Sequence, residues 1–336
     1  MKKFVCILLS AIFLSCSQPF FDQEVEPNAI ESYNYLWQQC DERYAFFDYK
    51  KIDWDSIKRT YDQRIYNGMS QKDLFSELFD MLNTLRDGHV NLVSDFQVSR
   101  FPIDLLGEDN YSSRLIEENY ITSQYYITGA LKHNMINNEN IGYIRYDAFT
   151  SRVTTSAMNW VLNEYQDTDG LIIDVRSNGG GSIQNIWRIL GHFVQSDVFA
   201  YDSYLKNGKG HNDFSSPEKA FIKPVEGVKY LNRPVVVLTD RGSFSATSFF
   251  SISCMALNNF TLIGDTTGGG LGAPNGGQLP NGWTYRFSVS QTIASDGGNY
   301  ESGVPPHIQI DLDPNLALNG IDTILERAIT FIRSGN

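Results

Sequence analysis

VLTDRGSFSATSFFSISCMAL, Val237–Leu257, decides how the chain folds, because an apolar run turns sharply there into a second apolar pattern of different period. Val235 to Leu238 are β-branched or aliphatic without interruption, as in a strand buried on both faces. Asp240, Arg241 and Gly242 break the strand, and from Ala246 onward Phe249, Phe250, Ser253, Met255, Ala256 and Leu257 recur at helical spacing. Ser245 is therefore placed at a strand-to-helix corner. Two roles suit a serine there. It can cap the helix, or it can serve as a nucleophile beside the free N–H groups and positive dipole end of the first helical turn.

The same grammar occurs upstream. Leu171 to Val175 read as a buried strand, RSNGGGS (176–182) follows, and Ile183, Ile186, Trp187, Ile189, Leu190, Phe193 and Val194 form the apolar face of a helix expected over 183–194. Repeated strand, turn and helix units predict an α/β core with a largely parallel sheet. Gly179, Gly180 and Gly181 can turn N–H groups outward as an anion nest or simply make a tight turn. Phosphate binding is disfavoured, because neither a Gly-Lys-Ser/Thr ending nor the spaced glycines of a dinucleotide loop are present.

Toward the N-terminus, helical spacing predicts helices over 29–44, 54–65 and 71–85, with Ser70 as a cap. Gly88 stops the last of them at DGHV (87–90). Strands are expected over 123–130 and 141–146, and a helix over 156–165. The domain reading is a signal peptide (1–15), a lipidated tether (16–28), a helical subdomain (29–89), a small β subdomain (90–140) and a core (141–336).

The chain has 39 acidic and 27 basic residues, a net charge of −12. That balance argues against nucleic-acid binding, which needs a basic stripe. Lys2 and Lys3 precede an apolar segment, Phe4 to Leu14, of the length of a secretory signal and too short for a permanent membrane helix. Leu14-Ser15-Cys16 resembles a bacterial lipobox, which implies acylation of Cys16 and a lipid anchor in the cell envelope. Export permits a disulfide between Cys40 and Cys254, although Cys254 lies in an apolar helix pattern that suits a buried thiol. No cysteine or histidine spacing suggests zinc, and no cofactor is expected.

DVRSNGGGS (174–182), GSFSATS (242–248), GDTTGGG (264–270) and DGH (87–89), in this order along the chain after DGH, together resemble the S41 peptidases: tail-specific or C-terminal processing proteases and tricorn-like enzymes. The resemblance implies a crotonase-like (ClpP-like) α/β core and a serine nucleophile at Ser245, with Ser243 and Ser248 ranked below it. Processing proteases use a lysine base within a GxGKG-like string, but Gly270 stands at that position and no lysine follows Lys229. Tricorn-like members use a histidine and a glutamate, and DGHV and YESGVPPH (300–307) are similar to those motifs. The resemblance therefore implies His89 as base and Glu301 as the residue that holds it. The serine that tricorn-like enzymes place beside the histidine is replaced by Gly88.

Imidazole suits the task, since an ordinary histidine is half neutral near pH 6.5 whereas a lysine must first be driven to lose its proton. The expected oxyanion donors are the backbone N–H groups of Gly180 or Gly181 and of Ala246. Residues 90–140 are too few for the PDZ module that many S41 members insert there. The expected function is that of a lipid-anchored serine endopeptidase acting on peptides or proteins. The alternative is an inactive protein of the same fold that binds peptides or apolar ligands.

If the lipobox reading holds, Cys16→Ala should convert a detergent-extracted protein into a soluble or unprocessed one. Unchanged partitioning between membrane and soluble fractions would overturn it.

Overall fold

A computed structural model describes residues 28–121 and 124–335. The signal segment, Cys16 and most of the tether lie outside the described residues, as do Thr122 and Ser123, the latter the first residue of an expected strand.

The apolar runs form the centre of a seven-stranded sheet. Its order is Ile308–Gln309, Phe260–Gly264, Val235–Thr239, Gly170–Asp174, Ile141–Tyr146, Leu131–Met135 and Tyr126–Thr128. Pairing is parallel as far as Ile141–Tyr146 and antiparallel for the last two strands. Every residue of the three middle strands is buried, which is why Leu171–Ile173 and Val235–Leu238 read as continuous apolar runs without alternation. Ile173, Val235, Val237 and Leu262 pack on one face against the helices Thr155–Glu164, Gln184–Leu190 and Ala246–Met255. Ile172, Val236, Leu238 and Ile263 pack on the other against the helix Thr323–Ser334. The turns after Asp174 and Thr239 therefore rise from the carboxyl ends of neighbouring strands, the usual place for a ligand site in an open parallel sheet.

The N-terminal helices Ala29–Arg43, Trp54–Tyr61 and Gln71–Asn83 are capped by the side chains of Asn28, Asp53 and Ser70. Their apolar faces do not close on themselves. Leu36, Phe75, Leu78 and Leu82 share a core with Leu279, Trp283, Tyr285 and Phe287 from the distant strand Thr284–Ser288 and its approach. One expectation is corrected here. Residues 90–140 do not make a separate β subdomain: Asn91–Val93 pairs with Thr284–Ser288, while Tyr126–Thr128 and Leu131–Met135 extend the central sheet. The physical reason is that each is too short to bury a face alone. Cys40 and Cys254, whose pairing the sequence left open, are free thiols buried in different cores, as the apolar pattern around Cys254 suits. Among the described residues no helix is long and apolar enough to cross a membrane.

A buried charge network pins the glycine turn to the last helix. Arg176 Nη2 lies 2.6 Å from Asp174 Oδ2, its Nη1 lies 2.9 Å from Asp322 Oδ2, and Arg145 Nη1 lies 3.3 Å from Asp174 Oδ1. Burial opposes ionisation of Asp174, but Arg176 and Arg145 outweigh it and hold the carboxyl below its ordinary pKa. Asp322 also caps the final helix, accepting from the N–H groups of Ile324 and Leu325. Arg176→Met would leave these carboxylates short of their main cation and should cost about 3 kcal/mol or more. Urea denaturation checks this, and a loss below about 1 kcal/mol would show the network to be dispensable.

Candidate active site

Ser245 stands between the strand Val235–Thr239 and the helix Ala246–Met255 with φ 57° and ψ −118°. A side chain disfavours that conformation, at a cost of roughly 1–3 kcal/mol. The surroundings enforce it. Ser245 N–H donates to Gly269 O at 2.9 Å, Phe244 N–H donates to Asn178 O at 3.0 Å, and Thr247 Oγ1 bonds both the carbonyl and the side-chain oxygen of Asn178. The hydroxyl makes no capping bond to its own helix. It meets His89 Nε2 instead, at 2.9 Å, so the cap reading of the corner does not match the geometry. The neighbouring serines are occupied: Ser243 Oγ donates to Val175 O, and Ser248 Oγ bonds Ser243 O and Thr267 Oγ1.

His89 comes from the other side of the cleft. Its backbone N–H donates to Asp87 Oδ1 at 2.8 Å, which bends the turn after Gly88, and its ring packs against Phe244 at 4.8 Å between centroids. Burial, reinforced by Arg286 and Lys50, lowers its pKa below 6.5, against the opposing pull of Asp87 and the Gly272 backbone. The ring is thus neutral at neutral pH, and to accept from Ser245 it must carry its proton on Nδ1. The Gly272 backbone bears on the ring, but no acceptor reaches the buried Nδ1 at hydrogen-bond geometry among the described residues.

Glu301 differs from the expectation. It is buried near His89 but makes no hydrogen bond to it: Oε2 accepts the Leu271 N–H at 2.6 Å, and Oε1 faces Lys50 Nζ at 3.8 Å. Burial first and Asp87 second push its pKa up to about 8, against Lys50 and the backbone of Leu271 and Gly272. Gly270 is also explained. With φ 73°, a Cβ there would overlap the Phe244 ring and stand 3.2 Å from His89 Cε1, so the Phe244 ring, against which His89 packs, occupies the space that a side chain at Gly270 would need.

The glycine turn lies against the Ser245 corner. Gly180 N–H is already committed to Asn178 Oδ1 at 3.0 Å, which removes it from the expected oxyanion donors. The N–H groups of Gly181 and Ala246 have no acceptor among the described residues. Both glycines are sterically required. A Cβ at Gly180 (φ 94°) would lie 2.9 Å from Ala246 N, and one at Gly181 (φ 143°) would overlap the Phe149–Thr150 backbone. The corner opens into a cleft of about 760 Å³ walled by Ile183, Trp187, Tyr201, Phe221 and Phe249, with Arg286 at its edge. Among the described residues no cluster of three or more histidine, cysteine or acidic side chains could hold a metal.

Sequence reasoning missed Lys50, Asp87 and Asn178 as parts of the site. Asp87 and Asn178 lie inside the quoted motifs. Lys50 has no sequence signal, because only the tertiary fold brings it to the turn.

The family model described as peptidase family S41 matches residues 140–310, and that of the tricorn protease C1 domain matches residues 28–83. A crystal structure from Parabacteroides merdae ATCC 43184, described as a candidate peptidase, is 34% identical, with 91% of this chain and 96% of that chain covered at a TM-score of 0.87. Mature CPAF shares the fold at 12% identity, with 92% and 98% covered and a TM-score of 0.70. The carboxy-terminal processing protease CtpB of Bacillus subtilis (strain 168) is 26% identical over 179 residues, 52% of this chain and 35% of that protein. The match thus spans about a third of the length of that curated relative.

The raised pKa of Glu301 has a definite sign. The unfolded carboxyl ionises near 4.5 and the folded one near 8, so the protonated side chain contributes stability fully below 4.5 that is lost as pH rises through 8. Glu301→Gln cannot ionise. Its melting temperature relative to wild type should therefore rise between about pH 5 and about pH 9. A constant difference in thermal melts across that range would show that Glu301 is already ionised.

Proposed function

Because the chain belongs to peptidase family S41, a family of serine peptidases, we propose that it is a serine endopeptidase in which Ser245 attacks the peptide carbonyl and His89 is the base. The observation that carries this reading is the 2.9 Å contact between His89 Nε2 and Ser245 Oγ. As Oγ bonds to the carbonyl carbon, its proton passes to Nε2, and the carbonyl π electrons move onto oxygen. Gly181 and Ala246 N–H groups are placed to receive that oxyanion, each contributing roughly 3 to 4 kcal/mol. His89 then returns the proton to the departing amine as the C–N bond breaks, leaving an acyl-enzyme. Water repeats the sequence with the same base.

In this proposal Glu301 supports the ring indirectly. Its carboxyl binds the Leu271 N–H and acts on the Gly272 backbone, the segment that faces the imidazole. The imidazolium formed during attack is then stabilised chiefly by Asp87, the main carboxylate that favours its charge. The substrate is a peptide or protein segment, and the aromatic cleft wall suits its apolar side chains. A lipid anchor at Cys16, resting on sequence alone, would hold the enzyme at a membrane of the cell envelope.

A fluorophosphonate probe should label the wild type and not Ser245→Ala. His89→Ala should reduce labelling and peptide hydrolysis by roughly 10²-fold or more with the fold intact. Because burial lowers the His89 pKa, activity should rise with pH through a limb on the acid side of 6.5, rather than at the value of an ordinary histidine. Folded wild-type protein that is never labelled would favour the inactive binding protein instead.

A further inference from the structure

Lys50 is buried behind the Ser245–His89 pair, its side chain only 6% exposed. Removing an ammonium and a long flexible side chain from water is costly unless several partners receive them. Here every partner belongs to the support of His89. Lys50 Nζ donates to Leu85 O at 3.2 Å and Arg86 O at 3.0 Å, and it lies 4.0 Å from Asp87 Oδ2 and 3.8 Å from Glu301 Oε1. The rings of Tyr44 and Phe46 lie 5.8 and 5.7 Å from it.

These contacts lock a turn that local preference would not hold. Arg86 sits at φ 48°, and its guanidinium reaches back to Lys50 O at 2.9 Å. Asp87, next in the chain, accepts the His89 N–H with Oδ1 and the Ser288 hydroxyl with Oδ2. The Leu85–His89 turn is thereby tied at both ends, to the helix Phe47–Lys50 and to the strand Thr284–Ser288. One cation also faces two carboxyls. Glu301 keeps its proton up to about pH 8, so below that pH the remaining charges, Lys50 and Asp87, balance.

We propose that Lys50 is a positioning residue for the base: its ammonium fixes the turn that presents His89 to Ser245 and offsets the charge of the Asp87 carboxylate behind the ring. The functional meaning of this arrangement rests on His89 being the base. The charged and titratable groups around the ring are Asp87 on its own turn, Lys50 on the helix Phe47–Lys50, Arg286 on the strand Thr284–Ser288, Glu301 on the loop beside Leu271, and Ser245 at the helix start. Of these, Lys50 and Arg286 disfavour the imidazolium and Asp87 favours it.

The signs give a test that loss of packing cannot imitate. In Lys50→Met the cation is gone, while Asp87 keeps its two hydrogen-bond donors and its charge, so the His89 titration midpoint moves to higher pH. In Asp87→Asn the carboxylate is gone, and the oxygen of the neutral amide can still accept the His89 N–H, so the midpoint moves to lower pH. The double variant lies between the two. The midpoint is read from the His89 ring by NMR, its resonance assigned by its loss in His89→Asn, and in parallel from the pH dependence of fluorophosphonate labelling. Labelling of Lys50→Met above its midpoint should also fall by on the order of tenfold, because the turn is loosened.

Displacement of both single variants in the same direction, or of neither, would overturn the proposal. If Lys50→Met does not fold, the remaining variants decide: Asp87→Asn must lower the midpoint, and the double variant must lie above Asp87→Asn. A wild type that is never labelled would remove the peptidase reading, yet the ring titration would still decide whether Lys50 sets the state of His89.

Discussion

The backbone of Ser245 at φ 57° is the constraint on which the rest of the site depends. A serine there points its hydroxyl away from its own helix and into the cleft, and it leaves the Ala246 N–H free at the positive end of that helix. Nothing local favours the conformation. It is held by the hydrogen bonds of Phe244 to Asn178 and of Ser245 to Gly269, so two separate glycine-rich turns brace one strained residue. Such strain persists only where the surrounding structure over-determines it. The parallel sheet supplies that rigidity through the adjacent strands Gly170–Asp174, Val235–Thr239 and Phe260–Gly264, whose carboxyl ends carry these turns.

The close approach of three turns explains the glycines better than flexibility does. At Gly180, Gly181 and Gly270 the space for a Cβ is already filled by the Ser245 corner, the Phe149–Thr150 backbone and the Phe244 ring. The last of these bears on the choice of base. A lysine at Gly270 would have to displace Phe244, against which the His89 ring is packed, so a side chain at Gly270 and the present position of the His89 ring are linked through Phe244. The histidine solution has its own requirement. In the proposed mechanism the ring must be buried to exclude water and yet be aimed at Oγ, and the polar cluster of Lys50, Asp87 and Glu301 behind it would meet that requirement from outside the cleft.

What was legible in the sequence was what short-range pattern controls. Val235 to Leu238 and Leu171 to Val175 could only be strands covered on both faces, and the turns after them marked the site before any contact was known. Pairing across the fold was less legible. The helices of residues 29–83 showed their apolar faces but not that Trp283, Tyr285 and Phe287 would complete their core, and the strands at 126–135 gave no sign that they would join the central sheet. Within the site, Ser245 and His89 were visible because each lies in a compact motif. The commitment of Gly180 to Asn178 was not, since it depends on a side-chain rotamer within the turn. The partners of Glu301 were hidden for a related reason: one of them, Lys50, lies 251 positions away in sequence and is brought close only by the tertiary fold.

The central claim is that the strained corner aims Ser245 at a carbonyl whose oxygen lies between Gly181 and Ala246. A crystal structure of the covalent adduct formed with a peptidyl phosphonate tests it directly. The account predicts phosphorus bonded to Ser245 Oγ, its non-bridging oxygen about 2.7–3.1 Å from the nitrogens of both Gly181 and Ala246, and His89 Nε2 still within hydrogen-bond reach of Oγ. An adduct on another residue, or a phosphonyl oxygen held by other donors while Gly181 and Ala246 N–H groups remain unused, would contradict it.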